Sequence, residues 1–236
     1  MSAFKIFRQN YFNRASKHVM IDFSVAAALI NKFHTKIRDR DDAAQILEIV
    51  NQNMEINNDL SEYVRERNLN RARADFRNIN VDSENVREFP VLSYSDLILI
   101  ACGTYQLKQA PSYYGEHIRF NGCYQIELCN DHRGSIMEGV NVSPNCFLLR
   151  ARIAGRHISR KVYFVYILIN SNDSGRSAIK KYCCNCIVGR RTVGCCAHVM
   201  TVIWYLGWAR YQTNIFPPAQ FLDDVLIVYD TNDMNV

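Results

Sequence analysis

Five of the nine cysteines of this chain fall between Cys183 and Cys196, and His198 follows two residues later. Thiolate sulfur and imidazole nitrogen are the donors that a tetrahedral zinc ion takes. Two donors close in sequence, a loop that folds back and two more close donors supply four corners with little chain. Gly189 and Gly194 lie in that loop and give it permissive backbone positions. Spacing alone admits two ligand sets, Cys184 and Cys186 with Cys196 and His198, or Cys183 and Cys186 with Cys195 and His198. A single buried cysteine is ordinary core filling, but five with a histidine around a glycine-containing loop are not accounted for that way. A nucleophilic Cys–His site lacks a third, orienting group nearby. Four protein donors leave no open position for water or substrate, so the metal is expected to be structural and the chain not an enzyme.

The elements that must position these donors can be read on either side of them. After His198, Val199, Val202, Ile203 and Leu206 form an apolar helical face, which places the second donor pair at a helix start, where the helix dipole favours a thiolate. Upstream the period is two: Tyr124, Ile126 and Leu128 alternate with polar residues, as do Phe147, Leu149, Ala151 and Ile153 with Leu148, Arg150 and Arg152, and Val162 to Ile169 is a β-branched and aromatic run. Turns at Gly134, Gly139, Pro144 and Gly155 separate them, so an antiparallel sheet is expected. Earlier still, helical spacing runs through Ile21, Val25, Ala28 and Leu29, again from about Asp41 to Asn53, and again from Asp59 to Arg77. Residues 78–90 read as a linker. Ser93 with Asp96 is a capping signal for a helix through Leu97, Ile98, Ala101 and Leu107, which Pro111 is expected to stop. The fold class is therefore α+β, with a helical N-terminal part and a central antiparallel sheet. Trp204, Tyr205 and Trp208 are expected to pack behind the cysteine cluster, and Cys102, Cys123, Cys129 and Cys146 in the core.

The net charge of +5 conceals an uneven distribution. Residues 150–211 hold eleven Lys and Arg against one acid, Asp173, while residues 212–236 hold four acids and no base. A field of that sign attracts a polyanion, and Arg150, Arg152, Arg156, Arg160, Lys161, Lys180, Lys181, Arg190 and Arg191 are the expected nucleic-acid contacts. No apolar run is long enough to span a membrane, and the N-terminal residues, with bases set between aromatics, are not a secretory signal. An intracellular, reducing compartment is expected, in which nine cysteines do not form a disulfide framework. No small-molecule substrate is indicated.

The stretch from Cys184 to Arg210, CNCIVGRRTVGCCAHVMTVIWYLGWAR, resembles the SWIM-type zinc finger, whose pattern is C-x-C, a variable spacer and C-x-H. The resemblance implies the ligand set Cys184, Cys186, Cys196 and His198 for Zn2+, with Cys183 and Cys195 as neighbours, on a short strand or hairpin followed by a helix. The segments FPVLSYSDLILIACGTYQLKQAPSYYGEH and ARIAGRHISRKVYFVYILIN are similar to regions that precede such fingers in transposon-derived eukaryotic proteins. KIFRQNYFNRAS and VAAALINKFHTKI are similar to the last helices of a DDE transposase domain. No catalytic carboxylate is carried over, and Asp22, Asp41 and Asp42 read as helix-terminus and surface groups. Composition, periodicity and the resemblance together divide the chain into a helical segment 1–77, a linker 78–90, an α+β region 91–159, the finger 160–211 and an acidic tail 212–236. The resemblance implies a nuclear protein that binds DNA; the alternatives are a zinc-dependent protein–protein adaptor and an active transposase endonuclease, which requires a carboxylate triad that the sequence does not offer.

Overall fold

In the computed structural model the described residues are 19–33, 40–79, 88–118, 124–129, 145–155 and 161–213. The chain forms two compact units, residues 1–43 and 44–236. The first contains helix α1 (Val19–Phe33), where Ala26 is buried while Met20, Ile21, Val25 and Phe33 are exposed. Near its end the Arg40 guanidinium hydrogen-bonds the Asp42 carboxylate and holds it below the usual range, so Asp42 is a surface group as expected.

The second unit is built on a five-stranded antiparallel meander in chain order: β1 (Phe76–Ile79), β2 (Tyr124–Cys129), β3 (Cys146–Ala154), β4 (Val162–Asn170) and β5 (Ile179–Cys184). The alternating runs at β2 and β3 sit where period two puts them, and the β-branched and aromatic run forms β4. β1 is not anticipated: its four residues fall at the end of the expected helix and the start of the expected linker, and their buried-exposed-exposed-buried pattern has no period of two. Helix α3 (Asp59–Glu66) stops early instead. Asn68 takes a left-handed conformation, the Leu69 amide donates to the Val64 carbonyl and the Asn68 amide to the Arg65 carbonyl. This is a Schellman stop sealed by burial of Leu69 and Val64 in one cluster.

Side chains on successive strand residues point to opposite faces, and both faces of this sheet are covered. On one, Ile126, Leu149, Ala151, Ile153, Val165 and Ile167 pack against α4 (Tyr94–Ala101), α5 (Tyr105–Ile118) and α6 (Ala197–Gly207). On the other, Leu148, Tyr166, Leu168 and Cys183 pack against Leu60, Tyr63 and Val64 of α3 and Phe76 of β1. Helix α2 (Ala43–Asn53) buries none of its residues fully.

The capping box is present, since the Ser93 side chain accepts from the Asp96 amide and the Asp96 carboxylate accepts from the Ser93 amide. The expected single helix is two, broken at Cys102 and Gly103, which both have positive φ. Pro111 does not stop the second; it lies inside α5. Leu107, Ala110 and Tyr113 are buried around it, and the Thr201 hydroxyl donates to the Ala110 carbonyl at 3.0 Å. Tertiary packing outweighs the local cost of the proline there. Trp204 and Tyr205 are buried and Trp208 half-buried against the same core, as expected. Cys102, Cys129 and Cys146 are only half-buried, and Cys123 lies outside the described residues.

Candidate metal centre

Cys184 ends β5, Cys186 sits in the turn after it, Cys196 caps the N-terminus of α6 and His198 lies in that helix's first turn. Local chemistry fixes each position. The Cys184 amide donates to the Gly189 carbonyl and the Gly189 amide to the Cys186 carbonyl, closing a tight turn. A Cβ on Gly189 would overlap the Cys184 carbonyl oxygen, so the turn excludes any side chain there. Gly194 has φ +63°, and a Cβ on it would sit 2.7 Å from the Ala101 carbonyl oxygen. The chain thus passes directly over the end of α4 before Cys196 begins α6.

The four side chains are buried, and one donor atom from each lies within 4.8 Å of every other. The Sγ atoms of Cys184 and Cys196 both lie 3.9 Å from Nδ1 of His198. A tetrahedron with metal–sulfur bonds of about 2.3 Å has edges of about 3.8 Å, so the geometry fits a four-coordinate metal ion. Peptide groups already face the sulfurs: the Cys186 amide donates to Cys184 Sγ and the Val199 amide to Cys196 Sγ, each at 3.4 Å. Hydrogen bonding from Cys184 and then Cys196 holds the Cys186 thiol well below its ordinary pKa, while bonding to Cys186 and Cys196 keeps the Cys184 proton on.

Strand alternation separates the two ligand sets that spacing left open. Cys183 and Cys184 are consecutive on β5, so they point to opposite faces, and Cys183 packs beside Leu60 and Tyr166 in the α3 layer. Burial pushes its thiol up to about 12. Burial also raises Cys195, which is enclosed in the core near Cys102. Neither joins the cluster. Two aromatic residues that spacing did not single out complete the site. Tyr163 stacks on the His198 ring with centroids 4.2 Å apart, and Tyr113 meets it edge-on at 5.2 Å. Nothing local to Tyr113 or Tyr163 marks them, because both arrive from distant elements.

The expected nucleic-acid contacts divide. Arg150 is buried, contrary to its assignment as a phosphate contact. Its guanidinium pairs with Glu127, donates to the Leu69 and Ala72 carbonyls at 2.7 Å and lies over the Phe76 ring at 3.7 Å. The face that alternation left to solvent is covered by α3 and the segment after it, so Arg150 is a strut within the fold. Arg152 donates to Gln125 at 3.0 Å. Lys180 pairs with Asp173 at 2.7 Å and Lys181 pairs with Asp59. Arg190 is exposed and Arg191 half-buried on the loop between the donor pairs. Lys161 is exposed over the Tyr163 ring. Arg156 and Arg160 lie outside the described residues, as does His157.

No described helix is long and apolar enough to cross a membrane. Comparison of the chain with protein-family models, with curated proteins and with solved structures returned no match.

Proposed function

We propose that Cys184, Cys186, Cys196 and His198 hold a structural zinc ion in a SWIM-type finger, and that the chain is a transposase-derived module that binds nucleic acid. The observation that carries the metal reading is the convergence of three sulfurs and an imidazole nitrogen within 4.8 Å inside the core. Three thiolates and an imidazole suit zinc above the hard cations, which prefer oxygen. When bound, the ion cross-links the turn after β5 to the start of α6. This chain's own residues do the rest: amides of Cys186 and Val199 stabilise the sulfurs, and Tyr163 and Tyr113 fix the imidazole plane.

The nucleic-acid reading rests on the charge of residues 150–211 and on the basic side chains that stay on the surface, chiefly Lys161, Lys180, Arg190 and Arg191. A second reading, a zinc-dependent protein adaptor, is favoured by Ile187, which is 99% exposed at the tip of the loop, next to the exposed Val188. DNA binding by the zinc-loaded chain, measured across a salt series, separates them. Phosphate contacts predict that log affinity falls linearly with log salt, by about 0.9 per phosphate neutralised. A flat salt response, or unchanged DNA affinity after zinc removal, rejects the zinc-dependent nucleic-acid module.

A further inference from the structure

A cleft of about 440 Å3 lies between α2, the end of α4 and the segment leading into β5. That is within the range of small-ligand sites, roughly 300–1,000 Å3. Its floor is apolar, with Ile49 from α2, Leu99 from α4 and Ile179 from β5, and its rim carries Arg176 and Arg191. The walls are tied at the backbone. The Thr192 hydroxyl donates to the Asn53 carbonyl at 2.8 Å, and the Asn58 side-chain amide donates to the Tyr182 carbonyl at 2.9 Å. Two side-chain-to-carbonyl hydrogen bonds therefore brace the opening. Arg191 also borders an adjoining hollow of about 260 Å3 that carries Arg65 and Arg190. Of the nearby acids, Asp59 is already engaged by Lys181. Among the described residues Arg176, Arg190 and Arg191 make no ion pair.

We propose that this cleft binds a nucleoside phosphate, free or as one unit of a single strand, with its ring on the Ile49–Leu99–Ile179 floor and its phosphate on Arg176 and Arg191. Guanidinium forks match phosphate oxygens in pairs, and a flat ring covers an apolar floor that a carboxylate side chain would leave to water. A duplex can satisfy the arginines but is too broad to reach the floor. The single-strand source rests on the nucleic-acid reading above; the free nucleotide does not.

The test uses the zinc-loaded full chain and fluorescence anisotropy of a short labelled oligothymidylate, with thymidine monophosphate, a blunt duplex and a glutamate peptide as competitors. Arg176→Glu reverses the charge of the rim, and Ile49→Trp fills the floor without changing charge. Both are expected to weaken oligothymidylate and thymidine monophosphate by about tenfold or more, while Arg73→Glu, on an exposed arginine away from the cleft, stays within about twofold. Zinc content and thermal melting confirm that each variant is folded; if Ile49→Trp does not fold, Arg176→Glu against Arg73→Glu decides. Wild-type affinity in the folded cleft variants overturns the proposal, as does a glutamate peptide that competes as well as the oligonucleotide. If duplex binds and ignores the cleft variants, the cleft assignment falls and the nucleic-acid function stands. If thymidine monophosphate binds in the cleft and no strand does, the reverse holds.

Discussion

The two faces of the sheet bury reactive chemistry in different ways. Toward α4–α6, three thiols and an imidazole gather at the junction of β5 and α6, with donors spaced for a metal ion. Toward α3, the buried polar group is an ion pair, Arg150 with Glu127, completed by two carbonyls and the Phe76 ring. The first cluster leaves donors for an added ion to satisfy. The second is satisfied by the protein alone. β5 contributes a cysteine to each side, and the side decides the role: Cys184 joins a donor set, whereas Cys183, its neighbour, is an apolar filler. A thiol becomes a candidate ligand here through the face it occupies.

The largest expected contrast is between those neighbours. Cys184→Ala, Cys186→Ala or His198→Ala should reduce bound zinc from one per chain to none. It should also remove a binding free energy that, for small zinc domains, is about 10–16 kcal/mol and is spent on folding. Cys183→Ala should keep one zinc and cost only about 1–2 kcal/mol of lost packing. Zinc analysis beside urea melts measures both, and zinc retained in His198→Ala would falsify the ligand set.

Next in size is the other face. Arg150→Ala leaves Glu127 buried without its partner and should cost about 3–5 kcal/mol, with zinc content unchanged. Replacing both by apolar residues, Arg150→Met with Glu127→Leu, should recover most of that loss. A double variant as unstable as the single one would mean that the pair is not an isolated unit.

The smallest effect concerns Tyr166, whose hydroxyl hydrogen-bonds Asn70 at 3.0 Å. Tyr166→Phe should cost about 1 kcal/mol at neutral pH. Burial raises the Tyr166 pKa above its ordinary value of 10.0. Below that value the phenol is protonated in both folded and unfolded chains, and its contribution is fully present. As pH rises further, the unfolded chain loses the proton first and stability falls. The phenylalanine variant should therefore lose less stability than the parent on going to alkaline pH. Equal losses would place the alkaline sensitivity elsewhere.

The cysteine cluster was legible because its signal is local: six residues within a short stretch, two glycines and a helical face immediately after. Which four of the six converge was left open by spacing, and the opposite faces that Cys183 and Cys184 take on β5 separate the two sets. β2 and β3 were legible from alternation, and β4 from its β-branched and aromatic run. What escaped depends on contacts between residues far apart in the chain. The arrival of α3 on the second face turned Arg150 from a surface cation into a buried strut, across 81 residues of sequence to the Leu69 carbonyl. β1 is short, and its burial pattern is buried-exposed-exposed-buried, which carries no period of two. Pro111 reads as a helix terminator until Thr201 and the buried face of α5 are in place. The arginines of the cleft are separated along the chain, so only the fold shows that Arg65 and Arg176 flank the same region as Arg191.

The adjacent cysteines on β5 also bear on how the chain chooses its alignment. β5 pairs with β4 through an irregularity between Leu168 and Ile169, so its register is not dictated by an unbroken ladder. A shift by one residue would turn Cys183 toward the helices, where it could pair with Cys186 as a decoy donor, and send Cys184 the other way. If the cluster takes up metal as proposed, metal supplied after the strands have locked reinforces the correct form, and metal captured earlier traps the misaligned one. The order of addition on refolding becomes a handle on yield.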